Sequence, residues 1–286
     1  MTDTGRGTGP DFIEALARGL DVLRSFRPGQ PSMTLSDIAA ETGLARPTVR
    51  RILLTLEALG YARSEGRGFA LTPRVLELGM AYVNSLNLWE VARPHMEELV
   101  GITGESTSMA QLDGCDIVYV ARVAVPKIVT LAVSIGTRFP APATSMGKVL
   151  LAAKEPRVVP EILAEHSRSG IVARYRPTLD VFMTALLEVR ARGWALADQD
   201  LAPGIRSVAT GVRDGNGQVI AAINVTVHAA ETSVETLVQK HLPHLLRTAA
   251  DISADYARLA AVPTTTVAAA AMTDAASATM DAASHY

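Results

Sequence analysis

Residues 34–71, TLSDIAAETGLARPTVRRILLTLEALGYARSEGRGFAL, constrain the fold more than any other stretch of this chain. Their spacing predicts a short helix, a glycine turn, a second helix carrying arginines, and a small β-hairpin. That is the outline of a winged helix-turn-helix. Leu35, Ile38 and Ala39 form the apolar face of the first helix, with Thr34 or Ser36 placed to cap its start. Gly43 stands where a tight helix-to-helix turn needs positive φ, and Leu44 fills the angle between the helices. Pro47 suits the first turn of the second helix, and Gly60 ends it.

In that second helix Val49, Ile52, Leu53, Leu56 and Leu59 recur at three- and four-residue steps and face a core. Arg46, Thr48, Arg50, Arg51 and Thr55 are left for the other faces, as major-groove reading requires. Tyr61-Ala62-Arg63 and Phe69-Ala70-Leu71 form the strands of the wing, joined by a turn over 64–68. Arg63 and Arg67 then lie near a phosphate backbone. Residues 43–74 hold six arginines and two acids, a local charge of +4, whereas the whole chain stands at −2. A surplus confined to one element is what electrostatic anchoring to double-stranded DNA needs. Solvated arginines on a protein-interaction module are the plainer alternative.

A chain of 286 residues has room for two domains. A single cysteine, Cys115, excludes an internal disulfide framework and fits a reducing cytoplasm. It lies in a hairpin turn, Asp113-Gly114-Cys115-Asp116, and reads as incidental. No apolar run reaches the length of a membrane span.

The pattern divides the chain into a disordered N-terminus over 1–10, the winged helix-turn-helix over 11–72, a linker helix over 73–88, a C-terminal domain over 89–261, and a disordered Ala/Thr/Ser-rich tail over 262–286. Phe12, Leu16, Leu20, Leu23 and Phe26 mark an amphipathic helix that supports the helix-turn-helix. Val75 to Leu86 repeats at helical spacing, and another helix covers 88–100 around Pro94. Beyond it, strands are expected at 106–112, 117–123, 128–134, 207–212 and 219–227. Helices are expected at 145–153, 181–191 and 232–259, the last broken near Pro243. The order predicts an α+β chain whose C-terminal domain carries an antiparallel sheet.

Three stretches carry a resemblance. They are TVRRILLTL at 48–56, ATSMGKVLLA at 143–152, and GWALADQD at 193–200 continuing as PGIRSVA at 203–209. Together they resemble the IclR family of bacterial transcription regulators, across residues 12–259. VSIGTRFP at 133–140 followed by TSMG at 144–147 is similar to the subgroup that controls aromatic-acid catabolism through protocatechuate and β-ketoadipate. The resemblance implies a DNA-binding N-terminal domain and a GAF-like C-terminal domain that binds a small organic acid, aromatic or dicarboxylic. It also implies a homodimer paired through the DNA-binding half, or a tetramer of two such dimers. The chain departs from the family in carrying Ser207 where Cys is common, and Gln199 where a second acid is common.

The residues themselves fit a carboxylate sensor. Thr144, Ser145, Met146 and Gly147 lead into a helix whose free N–H groups and hydroxyls attract an anion. Arg138 is placed upstream for a bidentate carboxylate pair. Asp198 and Asp200 sit in a loop where they either bind ligand hydroxyls or orient Arg138, and Ser207 adds a donor. Against this, Thr144 and Ser145 serve equally as helix caps, Met146 as core, and Arg138 as half of an ion pair with Asp198 or Asp200.

No enzyme constellation emerges. Gly147-Lys148 lacks the first glycine and the Ser/Thr of a phosphate loop, with Pro142 and Val149 in those places. There is no Gly-x-Ser-x-Gly elbow. His241 and His244 flank Pro243 with no Cys or acid at zinc-ligand spacing. The expectation is a cytoplasmic, ligand-responsive DNA-binding regulator without metal, cofactor or membrane partner. An enzyme with an incidental winged helix, or an architectural DNA binder, is the alternative.

Overall fold

Helix starts and turn glycines organise the first half of the chain. The computed structural model describes residues 10–27, 29–79, 88–126 and 133–261. The chain divides into two units, Met1–Leu86 and Asn87–Tyr286. In the first, α1 spans Glu14–Arg24, α2 Leu35–Thr42 and α3 Arg46–Ala58, followed by β1 (Ala62–Glu65) and β2 (Gly68–Leu71). Thr34 caps α2 in a reciprocal box. Its hydroxyl accepts from Asp37 N at 3.3 Å, and the Asp37 carboxylate accepts from Thr34 N at 3.0 Å. Gly43 closes α2 at φ 68° and Gly60 follows α3 at φ 80°, both in the left-handed region that glycine enters without strain. Val22, Ile38, Val49, Leu53 and Leu56 form the core of this unit.

Two expectations change here. The wing turn is Gly66-Arg67 alone, because β1 and β2 pair through Glu65↔Gly68. An isolated bridge from Met33 to Phe69 adds a third edge, with Met33 N donating to Phe69 O and Phe69 N to Met33 O, each at 2.9 Å. Gly68 makes that approach possible: a Cβ there would lie 2.6 Å from Met33 O. On α1 the buried residue is Val22, with Leu23 and Phe26 packed beside it. Phe12, Leu16 and Leu20 are instead exposed, at 39%, 61% and 47%. The helix has two apolar faces, and the core of this unit covers one of them.

The expected linker helix is seen over residues 75–79, and its continuation to 86 lies outside the described residues. The second unit opens with α4 (Leu88–Thr103), which accommodates Pro94 in its second turn. Strands β3 (Ser106–Asp113), β4 (Asp116–Val123), β5 (Arg138–Pro140), β6 (Trp194–Asp198), β7 (Ile205–Arg213) and β8 (Val219–His228) form one antiparallel sheet in the order β5-β4-β3-β8-β7-β6. Between β5 and β6 run a 3₁₀ turn (Ala141–Ala143), α5 (Ser145–Ala152), α6 (Val159–Ala164) and α7 (Leu179–Arg192). The chain ends in a turn at Val234–Thr236, a π-helical stretch Leu237–His241, and α8 (Leu242–Ala261). The widened turn lies just before Pro243, which has no N–H to give to a regular ladder.

Helix α5 lies on the sheet face that carries Ala110, Ala195, Ala209 and Ala222. These small side chains let the helix sit close to the sheet. Gly147 serves the same end: a Cβ on it would stand 2.1 Å from Ala141 O. Helix α8 packs on β7, β8 and α4. Strands β5 and β6 and helix α6 were absent from the sequence expectations. The strand expected over 128–134 falls almost wholly outside the described residues.

Candidate functional site: a nucleic-acid interface and an effector cavity

The first unit presents its cations around α3 and the wing. Arg46, Arg50 and Arg51 are all exposed. Arg50 and Arg51 have no ion pair among the described residues, while the Arg46 guanidinium bonds the Ser36 hydroxyl. Thr48, Arg51 and Thr55 border a groove of about 640 Å³ shared with Leu16 and Leu20 of α1. Helical spacing turns Arg46 and Arg50 toward the opposite flank. The Thr55 hydroxyl donates to Arg51 O at 2.9 Å, so its donor is already used. In the wing, Arg63 pairs with Glu65 at 3.3 Å, and Arg67 stands exposed at the turn. Glu57 accepts from Ser64 N at 2.8 Å, tying α3 to the wing; the Ser64 hydroxyl first, then this backbone bond, holds its carboxyl below the usual range.

The second unit contains a cavity of about 70 Å³ on the sheet, beside the start of α5, where Ala143 and Thr144 line it. Strand register builds its floor. Ser108 pairs with Arg122 across β3–β4 and with Asn224 across β3–β8. One step along, Thr226 pairs with both Ser106 and Ser207. Two polar rows therefore cross the sheet on one face. Ser106, Ser108, Asn224 and Ser207 are all at most 8% exposed. Burying so many polar groups in a core costs stability unless each finds a partner.

Most of the partners are visible. Asn224 Oδ1 accepts from Ser108 N at 3.0 Å, and its amide donates to Thr226 Oγ1 at 3.0 Å. The Ser207 and Ser145 hydroxyls share a bond of 2.7 Å. Arg122 Nη1 donates to Ser108 Oγ at 3.2 Å. Arg122 is half-buried and lines the cavity without an ion pair among the described residues; Glu105 and Asp200 line it too. Beside it, burial pushes the Tyr119 hydroxyl up to about 12, which keeps it a neutral donor at physiological pH. Tyr119 also meets Phe139 edge to face, with ring centroids 5.6 Å apart.

Of the eight effector residues expected from sequence, Thr144, Asp200 and Ser207 line this cavity. Thr144 also caps α5, its hydroxyl accepting from Gly147 N at 3.0 Å. Ser145 stands directly behind Ser207. Met146 is fully buried in the core cluster, and Gly147 is a packing residue against Ala141. Asp198 pairs with Arg206 at 2.7 Å rather than facing the cavity. Arg138 does not line this cavity. It reaches neither Asp198 nor Asp200, but pairs with Asp113 at 2.6 Å, because β5 pairs with β4 through Val118↔Arg138. Asp200 is held by Lys148 at 2.6 Å, and Lys148 Nζ also donates to Leu196 O at 3.0 Å. Sequence reasoning missed Arg122, Asn224 and Thr226. Their signal was a polar residue at alternate positions within otherwise apolar strands.

A winged helix-turn-helix joined to an α+β domain with a cavity of mixed polar and apolar lining defines a DNA-binding transcription regulator with an effector-binding domain. The IclR helix-turn-helix domain matches residues 15–66, and the C-terminal domain of the bacterial transcriptional regulator IclR matches residues 80–254. The chain belongs to the IclR family. It is 40% identical to the Pca regulon regulatory protein of Pseudomonas putida over 247 residues, 85% of this chain and 84% of that one. A solved structure from Rhodococcus sp. RHA1 superposes with a TM-score of 0.76 at 46% identity, covering 87% of this chain and all of that one. An IclR homologue from Microbacterium hydrocarbonoxydans, solved with 4-hydroxybenzoate, gives a TM-score of 0.73 at 25% identity over 86% of this chain and 99% of that one. Among the described residues no helix is long and apolar enough to cross a membrane.

Proposed function

We propose that this regulator binds operator DNA in the cytoplasm as a homodimer and releases or reshapes that contact when a small aromatic carboxylate enters the second-unit cavity. It acts as a sensor and not as an enzyme. The genes it governs are those of aromatic-acid catabolism. The observation that carries the reading is Arg122: a guanidinium with no ion pair among the described residues, on a polar floor beside a neutral Tyr119 hydroxyl and an aromatic edge. A carboxylate pairs with that guanidinium and a ring hydroxyl finds donors and acceptors. The IclR homologue solved with 4-hydroxybenzoate supports the same reading.

The cavity's size supports a switch. At about 70 Å³ it is smaller than the roughly 150 Å³ void that holds benzene. An aromatic acid enters only if lining side chains move. A ligand that demands movement discriminates between arrangements, which is the condition for shifting a population.

On the DNA side, Arg50 and Arg51 reach base edges, Arg46, Thr48 and Thr55 support them, and Arg63 and Arg67 meet phosphates. The exposed Phe12, Leu16 and Leu20 face of α1 is suited to pairing two copies, which then read half-sites about one helical turn apart or a multiple of that.

The test is fluorescence anisotropy on duplex from the gene's own upstream region, with 4-hydroxybenzoate, protocatechuate and β-ketoadipate added in turn. One aromatic acid should change specific binding in the wild type, Arg122→Ala should abolish the response, and Arg138→Ala should keep it. A response that survives Arg122→Ala removes that residue from the site. A response to β-ketoadipate alone replaces the aromatic acid with a dicarboxylate.

A further inference from the structure

A second cavity, of about 380 Å³, lies on the far side of the 3₁₀ turn Ala141–Ala143. Pro142, Leu163 and Phe182 form its apolar walls, and the segment between α6 and α7 forms its roof. That roof is tied at both ends. Near its start, Asp116 on β4 is almost fully buried and accepts from Ser167 Oγ at 2.6 Å and Arg168 N at 2.7 Å. Near its end, Tyr175 N donates to Asp200 O at 2.8 Å, and Lys148 Nζ sits 4.9 Å from the centre of the Tyr175 ring. A segment pinned twice does not need the space beneath it to be filled by its own side chains.

The roof is also basic. Residues 165–178 carry Arg168, Arg174 and Arg176 against a single acid, Glu165. Arg176 lines the cavity, and its Nε donates to Ala173 O at 3.2 Å. Its guanidinium has no carboxylate partner among the described residues. Apolar walls with one unpaired cation at the rim match an apolar ring bearing one carboxylate. The volume admits such a ring without rearrangement, unlike the cavity on the sheet floor.

We propose that this cavity is a second small-molecule site, selective for aromatic carboxylates, with the ring on Pro142, Leu163 and Phe182 and the carboxylate on Arg176. It adjoins the first site. Ala143 lines both cavities, and Asp200 of the first holds Tyr175 of the second through its backbone. The proposal does not rest on the role given to Arg122.

The experiment is isothermal titration calorimetry of the full chain with benzoate, and with benzamide as the neutral isostere. Four forms are compared: wild type, Arg122→Ala, and Arg122→Ala combined with Arg176→Ala or with Ala173→Phe, the last placing a ring inside the cavity. A saturable benzoate site should persist in Arg122→Ala; in that background it should disappear with Ala173→Phe and weaken about tenfold with Arg176→Ala, benzamide binding unchanged. Arg176 is exposed, so its variant reports even if Ala173→Phe misfolds. Benzoate binding wholly lost in Arg122→Ala overturns the second site and leaves the sensor reading standing. Binding kept in Arg122→Ala and unmoved by Arg176→Ala overturns it as well.

Discussion

Lys148 and Asp200 meet at 2.6 Å with side chains only 12% and 17% exposed, joining α5 to the loop that rims the effector cavity. Removing one member of a buried pair leaves the other charge without compensation, at a cost of about 3 kcal/mol. Asp200→Ala should lower the stability of the second unit by about that amount, and Lys148→Met by less, because Asp200 can turn toward water. Urea unfolding curves of the two variants check the order. Equal midpoints for Asp200→Ala and the wild type would show that the pair contributes nothing.

Gly147 has a packing role that its helical position hides. A methyl group there would stand 2.1 Å from Ala141 O, a backbone atom that cannot swing aside. Gly147→Ala should therefore destabilise the domain by about 2 kcal/mol through overpacking, despite alanine's better helix propensity. A thermal melt would show the sign directly.

The arginines of the first unit should separate by their salt response. Arg67 stands exposed at the wing turn, so Arg67→Ala should weaken binding to all duplexes alike and reduce the salt slope by about one. Arg50→Ala and Arg51→Ala should instead relax preference at single base positions, each by about 1–3 kcal/mol. Arg46 must release Ser36 before it contacts DNA, so Arg46→Ala should have the smallest effect of the three. Anisotropy titrations against operator variants at several salt concentrations resolve these outcomes. If neither Arg50→Ala nor Arg51→Ala changes specific binding, α3 does not enter the groove as proposed.

Cys115 sits buried in the β3–β4 turn, and burial first, then the neighbouring Asp116, pushes its thiol above the usual range. A raised thiol pKa means less thiolate at any given pH, and thiolate is the reactive form. Iodoacetamide should label native protein slowly at pH 8 and much faster in denaturant. The native rate should climb only above the ordinary thiol range. Fast native labelling at pH 8 would contradict the burial.

Residues 34–71 were readable because everything the motif needs lies within one continuous stretch. The Thr34 cap, the Gly43 and Gly60 turns and the buried Val49, Leu53 and Leu56 all answer to rules a few residues long. The strands expected at 207–212 and 219–227 and the helix expected at 181–191 answer to rules of the same local kind. The α1 stripe misled because apolar periodicity marks a face to be covered and does not say by what. Phe12, Leu16 and Leu20 are such a face, and the core of their own unit does not cover them.

The effector cavity belongs to the other category. Ser108 and Asn224 are 116 residues apart in sequence and share a hydrogen bond. Arg122, Thr226 and Ser207 join them only through the strand order β4-β3-β8-β7. Which way each side chain points depends on register, and a slip of one residue turns every side chain to the opposite face. Arg138 illustrates the consequence: its residue type suited a carboxylate site, yet pairing with β4 set it against Asp113. The family, the helix-turn-helix and the presence of an effector-binding domain were legible along the chain, because they rest on local periodicity and turn chemistry. Which cation lines the cavity floor was not, because pairing between strands far apart along the chain settles it.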